Sequence, residues 1–132
     1  VYSRIAPQLS ININSPIHEL PETAFLQQIC RRYDSIPEAV LENTELMQIF
    51  LPALQADFAM LETYIYANEE PLNCPISAFG GREDREVSQK AIAAWQHQTS
   101  SYFNMEMFDG GHFFFRTDIA PLLSIITQTL IK

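Results

Sequence analysis

The chain has 132 residues, 47% of them hydrophobic, and its eight Lys and Arg against sixteen Asp and Glu give a formal net charge of −8. This length and apolar content fit one globular domain with a buried core, and the acidic balance excludes a nucleic-acid binder, which needs a basic face. No apolar run is long enough to span a bilayer or to form a signal peptide, so we expect a cytoplasmic protein without a membrane partner.

The first third of the chain is predicted to be irregular and then helical. Residues 1–5 resemble the end of a strand, and the absence of an initiator Met there indicates a piece from the middle of a larger protein. Residues 6–20 carry two prolines among several Asn and Ser, which is typical of irregular chain. Start signals then predict three helices: Pro21 to about Tyr33, Ser35 to about Leu41, and a third capped by Asn43 or Thr44.

The third helix carries a long apolar stripe at helical period. Its members recur at steps of four or three: Leu46, Phe50, Leu54, Phe58, Leu61 and Ile65. Met47 and Leu51 widen the apolar surface, so the helix is expected to be buried on more than one side or to cover something. Pro52 removes a backbone donor and predicts a kink or a break.

The C-terminal half alternates strands with helices. Residues 74–79 and 103–108 are predicted strands, residues 87–98 a helix, and Thr117 or Asp118 caps a last helix. This alternation implies a parallel sheet, in which the functional site lies at the carboxyl ends of the strands.

All four glycines fall in two loops at those strand ends. One loop is Phe79-Gly80-Gly81-Arg82-Glu83-Asp84, and the other is Phe108-Asp109-Gly110-Gly111-His112-Phe113. A carboxylate on one nitrogen of an imidazole fixes its tautomer, and the other nitrogen can then take a proton from a serine. Asp84 and His112 are therefore a candidate catalytic acid and base, although a solvated loop acid and a packed surface histidine are equally compatible with the spacing.

Other residues compete for these roles less well. Asp109 has no separate loop to hold it, and Glu83 is the alternative beside Asp84. His97 is expected to be exposed on a helix and His18 to lie in a loop.

The cysteines and the other polar residues predict no cofactor and no metal. Cys30 and Cys74 are far apart, without metal-ligand spacing to a second Cys or a His, and are interpreted as free cytosolic thiols. Cys74 is expected to be a small hydrophobic residue of the core at the start of a buried strand.

Several blocks of the chain resemble the type II (external) thioesterases that accompany nonribosomal peptide and polyketide synthetases. The blocks are Arg31-Arg32-Tyr33-Asp34-Ser35-Ile36-Pro37-Glu38, residues 51–64, Cys74-Pro75-Ile76-Ser77-Ala78-Phe79-Gly80-Gly81 with Asp84, and Phe108-Asp109-Gly110-Gly111-His112-Phe113-Phe114. The resemblance covers nearly the whole chain but only about the rear half of the family's length, and Ser3-Arg4-Ile5-Ala6-Pro7 resembles the segment after the family's sixth strand.

The resemblance implies the C-terminal part of an α/β-hydrolase fold over residues 1–132, with parallel strands and flanking helices. Residues 20–66 would be a helical lid over the acyl channel, and residues 72–132 would carry Asp84 as the triad acid and His112 as the general base. The implied reaction is hydrolysis of acyl or aminoacyl groups from the phosphopantetheine arm of a carrier protein, which would be the partner.

The nucleophile motif Gly-x-Ser-x-Gly is absent from the chain. Without a serine, His112 has no hydroxyl to activate, so we expect the isolated chain to be inactive. Its second expected partner is the missing N-terminal half of the hydrolase. A non-catalytic truncated remnant, a module that only contacts a carrier, and an esterase that acts on free esters are the alternatives.

Two further expectations concern surfaces. Arg31-Arg32 is interpreted as a solvated face or, alternatively, as a group that steers an acidic carrier protein. A parallel sheet without its first strands would expose a long edge, which predicts self-association.

Overall fold

The computed structural model describes residues 1–9, 16–33, 36 and 38–131. It divides into two compact units, Ser10–Asn68 and Val1–Leu9 with Glu69–Lys132. Of the short helix predicted from Ser35 to about Leu41, Ser35 and Pro37 lie outside the described residues, and so do Ser10 and Ser15. None of the helices in the described ranges combines the length and the apolar character that a membrane crossing requires.

In the unit Ser10–Asn68 the described residues form the helices α1 (Glu22–Tyr33), α2 (Glu38–Leu41) and α3 (Thr44–Thr63). Asn43 caps α3, since its side chain accepts a hydrogen bond from Leu46 N at 3.1 Å. The unit has its own core, formed by Ile17, Phe25, Ile29 and Leu51. The predicted lid residues 20–66 all fall within this unit.

The face of α3 that packs into this core differs from the predicted stripe. Met47 and Leu51, expected only to widen the apolar surface, pack there together with Leu54 and Phe58. Phe50 is 49% exposed and Ile65, beyond the end of the helix, is 88% exposed. The prediction was therefore displaced by one residue in the first half of the helix, because a helix with apolar residues on more than one side gives no single phase.

Pro52 does not break α3, contrary to one of the two expectations for it. The helix runs from Thr44 to Thr63 with Pro52 inside it and exposed. A proline in a helix frees one carbonyl of the preceding turn, and an exposed position leaves that turn accessible to water.

The buried carboxylate of Glu62 connects the last turn of α3 to the segment before α1. Glu62, on the last turn of α3, accepts hydrogen bonds from Ile17 N at 2.9 Å and His18 N at 3.0 Å, and its Oε2 lies 2.5 Å from His18 Nδ1. Burial acts to raise the pKa of Glu62, but the two backbone N–H groups and the imidazole outweigh it and the pKa is lowered. His18, expected to be an ordinary loop residue, is thus hydrogen-bonded to the carboxylate of Glu62.

The other unit contains a parallel pair of strands, β1 (Ile76–Gly81) and β2 (Phe103–Phe108), in register from Ile76 opposite Phe103 to Gly81 opposite Phe108. This confirms the predicted mixed α/β class. Tyr2 forms a parallel bridge to Phe79, so β1 lies between residues 1–3 and β2. Helix α4 (Gln89–Ala93) follows β1, and α5 (Ala120–Leu130) follows β2 after a short 3₁₀ turn at Phe114–Arg116.

Two predictions in this unit need correction. The helix expected over 87–98 begins at Gln89, because the side chain of Ser88 caps it, and from Ala94 to Gln98 it continues as a 3₁₀ helix. Cys74 is exposed, not in the core, since β1 begins only at Ile76.

Candidate active site

The carboxyl ends of β1 and β2 lie at the same edge of the parallel pair, and their loops are hydrogen-bonded to each other. Arg82 N donates to Phe108 O at 2.8 Å, and Glu83 N donates to Gly110 O at 2.9 Å. Gly110 has φ +114°, a conformation that favours glycine. The loop after β2 therefore reaches the loop after β1, and residues 28 positions apart in the chain come together.

Asp84 is held by its own turn. Its side chain is fully buried, and Oδ1 accepts hydrogen bonds from Glu86 N at 2.9 Å and Val87 N at 3.1 Å. The other oxygen, Oδ2, lies 2.9 Å from His112 Nδ1. One oxygen thus fixes the carboxylate in place, and the other faces the imidazole.

The His112 ring is bound to the carboxylate on one side and remains partly open. Its side chain is 21% exposed, and the ring lies edge-on to Phe113 with 4.9 Å between centroids. Phe114, two positions on, is buried in the cluster with Phe79 and Leu122 and anchors the loop. Since an ionised carboxylate can only accept, the proton sits on Nδ1 and leaves Nε2 as the basic nitrogen.

The structure separates the competing residues from this pair. Asp109 is 97% exposed, and its Oδ1 lies 3.3 Å from Arg82 Nε. Glu83 is exposed, and so is His97, as expected. His18 belongs to the other unit, where Glu62 binds it.

Two features of the described residues were not predicted. Ser3 donates a hydrogen bond from Oγ to the main-chain oxygen of His112 at 2.9 Å. The His18–Glu62 pair has no sequence signal, because its members are 44 positions apart and neither follows a strand. No group of three or more His, Cys, Asp or Glu side chains suited to a metal ion occurs within the described ranges.

The close approach of the two loops predicts a severe effect of Gly81→Ala. A Cβ at Gly81 would overlap the carbonyl oxygens of Gly110 and Gly111, which are backbone atoms that can move only with the whole loop. We expect a loss of about 2 kcal/mol in the free energy of unfolding, measured by urea denaturation.

Gly111→Ala is the matched control for this substitution. A Cβ at Gly111 would meet Glu83 O at 4.0 Å, an ordinary contact, so the expected change is about 0.5 kcal/mol or less. Equal losses for the two variants would contradict the described packing of the loops.

The family model and the similar proteins indicate the same family, the thioesterases. The model of the thioesterase domain family matches residues 6–130. The gramicidin S biosynthesis protein GrsT of Aneurinibacillus migulanus is 42% identical over 114 residues, which are 86% of this chain and 44% of that protein. Thioesterase PikA5 of Streptomyces venezuelae is 32% identical over 131 residues, which are 99% of this chain and 46% of that protein.

A solved structure extends the similarity to three dimensions. The type II thioesterase BorB from the borrelidin biosynthetic cluster superposes with a TM-score of 0.83 at 31% identity, over 96% of this chain and 51% of that one. The chain thus spans about half the length of the relatives it matches.

Proposed function

Because the chain belongs to the thioesterase family, among the type II thioesterases of nonribosomal peptide and polyketide pathways, we propose that the intact protein hydrolyses acyl or aminoacyl thioesters on carrier proteins. The 2.9 Å contact between Asp84 Oδ2 and His112 Nδ1 is the observation that carries this proposal. In a serine hydrolase the acid is hydrogen-bonded to Nδ1 of the histidine that acts as the base, and Asp84 and His112 have this arrangement.

In the proposed reaction His112 takes up and returns one proton in each of two half-reactions. Nε2 takes the hydroxyl proton of a serine as that serine attacks the thioester carbonyl, and the imidazolium returns it to the departing phosphopantetheine sulfur. A water molecule, deprotonated by the same nitrogen, then attacks the acyl-serine ester, and the imidazolium returns the proton to the serine oxygen as the free acid leaves. Asp84 stays ionised throughout, because its function is to hold the ring and to stabilise the imidazolium.

We infer that the nucleophilic serine comes from outside these residues. Gly-x-Ser-x-Gly does not occur in the sequence. Among the described serines, Ser88 caps α4, Ser77 lies in β1, and Ser3 bonds to the main chain of His112. The catalyst in this proposal is therefore the protein that carries both this chain and the nucleophile, and the chain alone is inactive.

The same proposal gives the two units distinct parts. The strands and α5 would be the C-terminal part of an α/β-hydrolase fold, and the three-helix unit would be the lid. Exposed apolar residues of α3, such as Ile49 at 71% and Met60 at 67%, support an acyl-covering function. Arg31 and Arg32, in the last turn of α1, provide positive charge for an acidic carrier protein within an otherwise negative chain.

The substrate class is tested with one acyl group presented in three forms to the intact protein. The forms are the phosphopantetheine thioester of a carrier protein, the thioester of a small thiol, and a simple ester. We expect kcat/KM to be at least about tenfold higher for the carrier-bound form, because binding of the remote carrier lowers the barrier at the thioester. Hydrolysis of the ester alone would favour an esterase instead.

A non-catalytic module that only contacts carrier proteins is the second candidate, favoured by the missing serine motif. Binding of the carrier by the intact protein without hydrolysis of any of the three forms would support that candidate and end the enzymatic proposal.

A further inference from the structure

Ser3 occupies an unusual position beside the Asp84–His112 pair. It is only 5% exposed, and its φ of +41° lies in the left-handed region, which a serine enters at a cost in free energy. Its N–H donates to Phe79 O at 2.8 Å, which attaches it to β1. A buried, strained, non-glycine residue persists only where the surrounding contacts compensate for the strain.

The hydroxyl of Ser3 provides such a contact, and it is directed at the candidate base. Ser3 Oγ donates to the main-chain oxygen of His112 at 2.9 Å, across 109 positions of sequence. Residues 1–3 and β2 lie on opposite sides of β1. The loop that carries His112 therefore extends over the end of β1 as far as the segment on its other side.

Three of the contacts to this loop involve Gly110 and His112, and each comes from a different residue. Glu83 N binds Gly110 O, Asp84 Oδ2 binds the His112 ring, and Ser3 Oγ binds the His112 carbonyl. The first two come from the chain just after β1. The Ser3 contact acts on the main chain of His112 itself, so it limits how freely the ring can leave Asp84.

We propose that Ser3 is a positioning residue that fixes the main chain of His112 and thereby keeps its ring on Asp84. The functional meaning of this role rests on the proposed function, in which His112 is the general base. The hydroxyl does not touch the imidazole or a substrate, and its effect is exerted through the carbonyl of His112.

The test compares Ser3→Ala and Ser3→Gly in the intact protein labelled with nitrogen-15 histidine. Both variants remove the hydroxyl, but glycine also relieves the strain of a positive φ. The measured quantity is the exchange rate of the His112 Hδ1 proton with water, which reports how often the ring leaves Asp84. We expect both variants to exchange about three- to tenfold faster, which corresponds to the loss of one hydrogen bond.

Two controls separate positioning from general stability. Asn43→Ala removes the cap of α3, in the other unit, and should lower Tm without changing the exchange of His112. His18, bound to Glu62 in the other unit, is an internal reference whose Hδ1 signal should not change in any variant.

An unchanged exchange rate in both Ser3 variants would overturn the proposal and leave Ser3 with a structural role only. Faster exchange in Ser3→Ala but not in Ser3→Gly would overturn it as well, since the backbone fit and not the hydroxyl would then matter. If Ser3→Ala does not fold, Ser3→Gly decides alone. Because the readout requires no turnover, a failure to hydrolyse thioesters would end the proposed function without affecting this test.

Discussion

Replacing His112 by alanine in the intact protein is expected to lower the rate of carrier-thioester hydrolysis by about 10⁴-fold or more. The imidazole of His112 is hydrogen-bonded to the buried Asp84 carboxylate at the carboxyl ends of the two strands. Without it the serine hydroxyl keeps its proton and the departing sulfur receives none. The mass of the acyl-loaded carrier protein, followed over time, measures this loss.

His97→Ala is the matched control for this variant. His97 lies exposed on the 3₁₀ helix after α4, so its removal should leave the rate within about twofold. Because His112→Ala also removes the partner of the buried Asp84 carboxylate, Tm is measured for both variants. Full activity in His112→Ala, in a variant whose Tm is unchanged, would remove His112 from the mechanism.

Asp84→Asn is expected to lower the rate nearly as much, by about 10⁴-fold, while the fold is kept. The amide oxygen can still accept from Glu86 N and Val87 N, so the turn is retained. The amide nitrogen then faces His112 Nδ1 and donates to it, which moves the ring proton to Nε2. That nitrogen can no longer take a proton from a hydroxyl. The measurement is kcat/KM on the carrier thioester, together with Tm.

Asp109→Asn provides the comparison, because Asp109 was the competing acid on the basis of sequence. Its carboxylate is 97% exposed and pairs with Arg82, and an exposed pair of this kind contributes little. We expect this variant to keep its activity. A larger loss in Asp109→Asn than in Asp84→Asn would reverse the assignment of the acid.

The location of Asp84 and His112 could be predicted because it follows from topology. Two parallel strands end at the same edge, where one glycine pair closes β1 and the other lies in the loop after β2. The packing of side chains within each unit follows no such topological rule. The orientation of α3 about its own axis depends on which of its apolar faces packs against Phe25 and Ile29, and a helix that is apolar on more than one side does not encode that choice.

The contact of Ser3 with His112 could not be predicted for a different reason. It joins residues 109 positions apart through one main-chain oxygen and requires a left-handed serine, which local propensity disfavours. The pairing of Glu62 with His18 likewise arises only once α3 has been laid against the segment at Ile17. Both contacts are consequences of packing and leave no periodicity in the sequence.

The most direct test of the central claim is the position of the proton on the His112 ring. Nitrogen-15 chemical shifts of the intact protein at about pH 8, where an ordinary imidazole is neutral, distinguish a protonated from a bare ring nitrogen. We predict a protonated Nδ1, bound to Asp84, and a bare Nε2. A proton found on Nε2 would contradict the account, since that ring could not act as a base toward a serine.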